Sequence, residues 1–248
     1  MPQFTSEALV LRTYRLGEAD RIVVFLTSDR GKKRGVAKGA RRTRSRFVGA
    51  LEPLTHVHVS YYERENRDLV RVSDVEMLRS PWSALDPDAL TYVGYFAELI
   101  DEWAPEADPN ERLYRLGASV MEALAGGTPT ERLARYFEYW LLRLQGVYPS
   151  VLACHGCGAD LQVDGARLSP RGALFLCPGC RGASQGLALS PASIAFLREA
   201  ARARPSSLGE LSWSVRVGRE LEAAHHVLIA THLEKELKSV RVLKELRH

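Results

Sequence analysis

The chain has 248 residues, 46% of them apolar and 26% charged, and its 34 basic and 30 acidic side chains leave a net charge of +4. Such a composition suits a folded protein of one large or two to three small domains. It excludes a membrane span, because no run approaches about 18 consecutive apolar residues. The opening MPQFTSEALVLR also lacks the basic-then-apolar pattern of a secretory signal, so a cytoplasmic setting is expected.

Residues 1–80 read as strands. EALVLRTYRL alternates apolar with polar positions, whereas DRIVVFLTS is a short continuous apolar run, as for a strand buried on both faces. LTHVHVSYYE places Val57, Val59 and Tyr61 on one face and His56, His58 and Tyr62 on the other. DLVRVSDVEML alternates again, and ERENRD between them has the polarity of a hairpin tip. About five short strands in this length predict a small barrel or sandwich, the OB-fold among the options.

Inside that region lies DRGKKRGVAKGARRTRSRF, residues 29–47, with nine Lys or Arg against one Asp. Those residues carry +8, so the rest of the chain is at −4 and the charge is concentrated in one place. If KKRGVAK is extended, Lys32, Arg34 and Lys38 point to one side and Lys33 to the other. Cations then recur every ~7 Å, a spacing suited to a phosphate backbone. Arg41, Arg42, Arg44 and Arg46 follow, interleaved with the hydroxyls of Thr43 and Ser45, which can also bond phosphate oxygens. Phe47 either stacks on a base or fills the core, and the core is its expected place. Concentrated like charge costs stability, which favours a nucleic-acid contact over a solvated loop.

From Pro81 the period becomes helical. Asp86-Pro87, Asp108-Pro109 and Thr128-Pro129 each pair a capping side chain with a proline at the first helical position. Thr128 and Glu131 also have capping-box spacing, and Gly126 and Gly146 lie where C-terminal caps belong. Leu133, Phe137, Trp140, Leu141 and Leu144 form an apolar stripe. The expectation is an antiparallel bundle, rejoined after Ser190-Pro191 by helices near 191–203 and 214–233. Residues 1–80 carry +6 and residues 81–150 carry −6, so a basic barrel is followed by an acidic helical segment.

The four cysteines form Cys154-x2-Cys157, nineteen residues, Cys177-x2-Cys180. Each pair presents two thiolates to one tetrahedral ion, and the intervening segment is long enough for a hairpin that brings the pairs together. That is the spacing of a zinc site. Four thiolates saturate zinc and leave no position for a reacting water, so one structural Zn2+ per chain is expected. A zinc deaminase needs H-x-E, and neither His56 nor His58 is followed by Glu two positions later. His155 is expected outside the ligand set.

Other chemistry is sparse. His225, His226 and His232 share a predicted helix, and Glu222 has Glu-x-x-His spacing to His225, but a second such pair is missing. These read as ordinary helix histidines. The sequence has no phosphate-loop motif and no nucleophile elbow, and no enzyme is expected. Basic strands bind DNA or RNA alike, so an RNA- or ribosome-associated OB/zinc-ribbon protein is the alternative reading. A nucleic-acid enzyme and an adaptor for an acidic protein are further rivals.

The assembled chain resembles the RecO family of recombination-mediator proteins. The carrying residues are ALVLRTYRLGEADRIVVFLTSDRGKKRGVAKGARRTRSRF, the later EPL and YYE, and the two C-x2-C pairs. The resemblance implies an α+β multidomain protein: an OB-fold over 1–80, a helical domain over 81–150 and 187–248, and an inserted zinc module over 151–186. It implies non-enzymatic binding of single- and double-stranded DNA, strand annealing, and help for RecA in displacing SSB, with RecR as partner. DNA contacts fall on Lys32, Lys33, Arg34, Lys38, Arg41, Arg42, Arg44 and Arg46. The family also engages the acidic C-terminal tail of SSB. Arg132, Arg135, Tyr139 and Arg143, gathered on one helix face, are the candidates for that contact.

Overall fold

The computed structural model describes residues 2–65, 67–82, 87–169, 174–180, 186–235 and 237–246. They belong to two units, Met1–Ala125 with Leu237–His248, and Gly126–Glu236. In the first, β1 (Gln3–Leu16), β2 (Asp20–Thr27), β3 (Gly31–Ala37), β4 (His56–Tyr62) and β5 (Val70–Arg79) close a barrel in the order β1-β2-β3-β5-β4. All pairings are antiparallel except β3 with β5. This is the OB-fold barrel expected from the five strand-like runs.

Alternation places Ala8, Val10, Val23, Phe25, Val57, Val59, Tyr61 and Val72 in the barrel interior. Phe47, Ala50 and Leu51, from the segment joining β3 to β4, complete that core. Phe47 is therefore a core residue, and burying it contributes roughly 1.5–3 kcal/mol. β1 departs from simple alternation, because Leu9 and Leu11 on its outer face are as buried as Ala8 and Val10. The helices α1 (Pro87–Trp103) and α2 (Glu111–Ala125) cover that outer face. Gly117 permits the approach: a Cβ there would lie 2.8 Å from Leu9 Cδ1 and 2.9 Å from Ile100 Cδ1. The last helix, α7 (Lys238–Leu246), packs on α1, and the Glu98 carboxylate accepts from its Lys238 and Ser239 amides at 3.2 and 2.7 Å.

The second unit contains α3 (Thr130–Leu144), α4 (Leu161–Asp164), the short strands β6 (Ala166–Leu168), β7 (Phe175–Leu176) and β8 (Leu187–Leu189), then α5 (Pro191–Ala200) and α6 (Val215–Leu233). A 3-10 turn spans Pro205–Glu210. The strands form one small sheet ordered β7-β6-β8, and α3 packs against α5 and α6. The expected single antiparallel bundle is corrected on this point. α1 and α2 spend their apolar faces on β1, and α3 finds its partners later in the chain.

Two expected helix starts need correction as well. Asn110, not Asp108, caps α2, its Oδ1 accepting from Leu113 N at 3.1 Å. The Asp108 backbone lies against Gly31, where a Cβ would clash with Asp108 O and where φ of +69° would also strain any side-chain-bearing residue. α3 starts at Thr130 with Pro129 in the cap position and no side-chain cap, while Thr128 is buried. Asp86 lies outside the described residues. Gly127, at φ +79°, takes the left-handed position expected of Gly126, and Gly146 takes its own at φ +72°. Ser190 caps α5 as expected, its hydroxyl accepting from Ser193 N at 3.4 Å.

Candidate nucleic-acid interface and metal centre

β3 presents its residues as the sequence implies, with Gly35 and Ala37 inward and Lys32, Arg34 and Val36 outward, but three of its cations are already neutralised. Lys32 is buried: its Nζ donates to the Asp101 carbonyl at 2.7 Å and lies 3.3 and 3.4 Å from the Asp101 and Glu106 carboxylates. Its backbone pairs with Pro105 O and Ala107 N as though Glu106 extended the sheet. Arg34 reaches Glu106 at 2.9 Å, and Lys33 reaches Glu63 at 2.6 Å.

Beyond β3 the arrangement changes. Lys38, Arg41, Arg42, Arg44 and Arg46 are all exposed, and among the described residues none is paired with a carboxylate. They ride on successive turns rather than a strand. Gly39 N donates to Asp20 Oδ1 at 2.7 Å and Arg41 N to Ala19 O at 2.9 Å, and further backbone bonds close the turns at Ser45, Val48 and Ala50. The Arg41 guanidinium bonds the carbonyls of Gly17 and Glu18 at 3.1 and 2.9 Å, which fixes its position but leaves its charge uncancelled. Arg46 lies over the ring of buried Phe47, 4.9 Å from its centroid. The segment is thus a cationic surface pinned at both ends, able to hold phosphate oxygens in two-pronged hydrogen bonds.

In the second unit the four cysteine sulfurs lie within 4.8 Å of one another, the only such metal-competent group among the described residues. The Cys154–Cys180, Cys157–Cys177 and Cys177–Cys180 sulfurs are each 3.6 Å apart. That is too long for disulfides and close to the about 3.8 Å edge of a tetrahedron with ~2.3 Å metal–sulfur bonds. Burial opposes ionisation of Cys154, but the backbone N–H groups of Cys177, Cys157 and Gly156 outweigh it and hold the thiol at about 6. Contact with the sulfurs of Cys154, Cys157 and Cys177 pushes Cys180 up to about 12. A divalent cation at the centre would let all four ionise together. The donor set therefore fits a metal ion. His155 is exposed and outside it, its N–H bonded to Phe175 O at 3.0 Å.

The four residues proposed for an acidic tail do not share an open face. Arg132 donates to the carbonyls of Leu208, Gly209 and Leu211 at 3.1, 2.6 and 3.0 Å. Arg135 is buried against fully buried Glu138 at 2.7 Å. Tyr139 is also buried, and only Arg143 projects to solvent, its Nη1 donating to the Tyr139 hydroxyl at 2.8 Å. Tyr139 and Arg143 do meet at a cavity of about 490 Å3, together with Tyr148, Leu152, Arg198 and Arg202.

Behind that cavity lies a network the sequence did not reveal. His225 Nδ1 is 2.8 Å from Glu138 Oε2, and its Nε2 is 2.9 Å from the Tyr148 hydroxyl. With Glu138 ionised, Nδ1 is the donor and Nε2 accepts from the phenol, which satisfies a neutral imidazole. Burial pushes Glu138 up, but Arg135 and His225 outweigh it, so its carboxyl titrates below the usual range. Burial also pulls His225 down, with Glu138 only partly opposing. Tyr148 is half-buried, its ring lining the cavity while its hydroxyl is enclosed at His225, and burial raises the phenol well above its ordinary value. The sole sequence signal was the three-residue spacing of Arg135 and Glu138, since His225 is 87 positions away.

Residues 1–81 match the family model described as Recombination protein O N terminal, and residues 84–241 match Recombination protein O C terminal. The chain is 38% identical over 243 residues to the DNA repair protein RecO of Koribacter versatilis (strain Ellin345), covering 97% of this chain and 98% of that protein. It is 34% identical over 247 residues to DNA repair protein RecO of Geobacter metallireducens, covering 99% of each. A third relative, DNA repair protein RecO of Dehalococcoides mccartyi (strain CBDB1), is 32% identical over 245 residues, 98% of this chain and 96% of that protein. No helix among the described residues is long and apolar enough to cross a membrane.

Proposed function

The chain belongs to the RecO family, and from that premise we propose that it is a DNA-binding recombination mediator without an active site. It anneals complementary single strands and, with RecR, helps load RecA on SSB-coated single-stranded DNA in the cytoplasm, at the nucleoid. The observation that carries this reading is the row of five exposed cations, Lys38, Arg41, Arg42, Arg44 and Arg46, held on ordered turns of an OB-fold barrel. Lys32, Lys33 and Arg34 support that surface from within ion pairs rather than touching phosphate. The mechanism is electrostatic: cations neutralise the phosphates of one strand, release its counterions, and lower the repulsion felt by a second.

Five phosphate contacts imply a log–log salt slope near −3.5 on single strands. Arg42→Ala with Arg44→Ala should flatten it by about 1.4, whereas Lys32→Ala should leave the slope alone and lower stability instead. A salt-independent affinity would remove this mechanism.

Zn2+ is the ion we assign to Cys154, Cys157, Cys177 and Cys180, where it would tie β6 and β7 to the loops that carry the thiolates. We propose the 490 Å3 cavity for the acidic SSB tail, on Arg143 and Arg202, neither of which has a carboxylate partner among the described residues. Arg143→Glu with Arg202→Glu should abolish binding of a tail peptide by about tenfold or more while the thermal midpoint holds. Undiminished binding would move the site elsewhere.

A further inference from the structure

On the outer face of the barrel, strand pairing aligns Val36 of β3 with Arg71 of β5, and Arg71 with Tyr62 of β4. The three side chains make one cross-strand row. Together with Lys38 and with Arg64, Arg67, Asp68 and Leu69 between β4 and β5, that row lines an open cavity of about 530 Å3. Its apolar surface comes from Val36, half-buried Tyr62 and Leu69, the last 38% exposed. Around that surface stand Lys38, Arg64, Arg67 and Arg71, against a single carboxylate, Asp68. Among the described residues Lys38, Arg67 and Arg71 have no ion-pair partner.

An aromatic and aliphatic floor rimmed by cations has the chemistry of a nucleotide site, with a flat apolar base inside and anionic phosphate at the edge. We propose that this cavity holds one unpaired nucleotide of single-stranded DNA, its base against Tyr62 and its flanking phosphates on Arg67, Arg71 and Lys38. The inference rests on the DNA-binding reading above and adds to it a means of telling strands from duplex. Bases in a duplex are stacked and paired, so a duplex could offer only its backbone to the cations. Lys38 belongs both to this cavity and to the row ending at Arg46, so the two contacts are continuous along a strand.

The test is fluorescence anisotropy with an oligothymidylate and a blunt duplex of equal length, using full-length wild type, Tyr62→Ala, Tyr62→Phe, and the pair Arg67→Ala with Arg71→Ala. Tyr62→Ala should weaken single-strand binding about tenfold, in keeping with the loss of one base stack, and duplex binding less than twofold. Tyr62→Phe should restore it. The arginine pair should flatten the single-strand salt slope by about 1.4, which keeps the proposal open to refutation even if Tyr62→Ala does not fold. Wild-type binding that survives Tyr62→Ala, or that falls equally on strand and duplex, overturns the nucleotide site alone. Wild type that binds neither polymer at moderate salt overturns the DNA-binding reading and this site with it.

Discussion

At the residue scale, the buried Arg135–Glu138–His225 group makes the most specific demand on solution conditions. Both shifts within it have the same sign. His225 titrates below its ordinary 6.5 in the folded chain, so below about pH 6.5 the unfolded chain takes up a proton that the folded chain refuses. Glu138 titrates below 4.5 when folded, so its contribution is present above that value and is lost as pH falls through the folded pKa. The thermal midpoint should therefore decline as pH drops from 7.5 toward 5.5, with a second decline below about 4.5. His225→Gln should flatten the first phase, since a glutamine does not titrate. A midpoint independent of pH over 5.5–7.5 in wild type would contradict the neutral buried imidazole. Arg135→Ala should cost roughly 3–5 kcal/mol, because it strands a buried carboxylate.

At the scale of elements, the four cysteines and the strand alternation were the most legible features. Each is a local pattern: a spacing of three for the C-x2-C turns, a period of two for β4 and β5. Partners distant in sequence were not legible. The charge of residues 29–47 was plain, yet nothing in it says that Lys32 is enclosed by Asp101 and Glu106 or that Lys33 meets Glu63. Arg64, Arg67 and Arg71 were not legible as a group for a related reason. They are interspersed with Glu63, Glu65 and Asp68, and only the pairing of β3, β5 and β4 gathers them around Tyr62. The Asp108-Pro109 start failed because a close backbone approach at Gly31 overrides capping preference. For the cysteine module, Cys154→Ser should abolish the zinc binding proposed for it and lower the unfolding midpoint. DNA affinity of the still-folded protein should change less than twofold, because the cationic turns belong to the other unit. Loss of DNA binding in a folded, zinc-free variant would assign the module a direct role in the interface.

For the whole molecule, net charge is a poor descriptor. The chain is only +4, but the first 80 residues carry +6 and the next 70 carry −6. Part of that acidic balance is spent on the barrel itself, where Asp101 and Glu106 hold Lys32 and Arg34 in place. Among the described residues the cations from Lys38 to Arg46 have no carboxylate partner, and Lys38 joins that stretch to the Tyr62 cavity. The annealing role proposed here calls for no catalytic group; it calls for cations displayed rigidly enough to hold one strand while another approaches. The direct test is the annealing rate of complementary oligonucleotides, each coated with SSB, measured by fluorescence quenching at several salt concentrations. Wild type should accelerate annealing at low salt and lose the effect as salt rises, and a folded variant with Lys38, Arg41, Arg42, Arg44 and Arg46 changed to Ala should anneal at the background rate. Wild-type annealing by that variant would contradict the account.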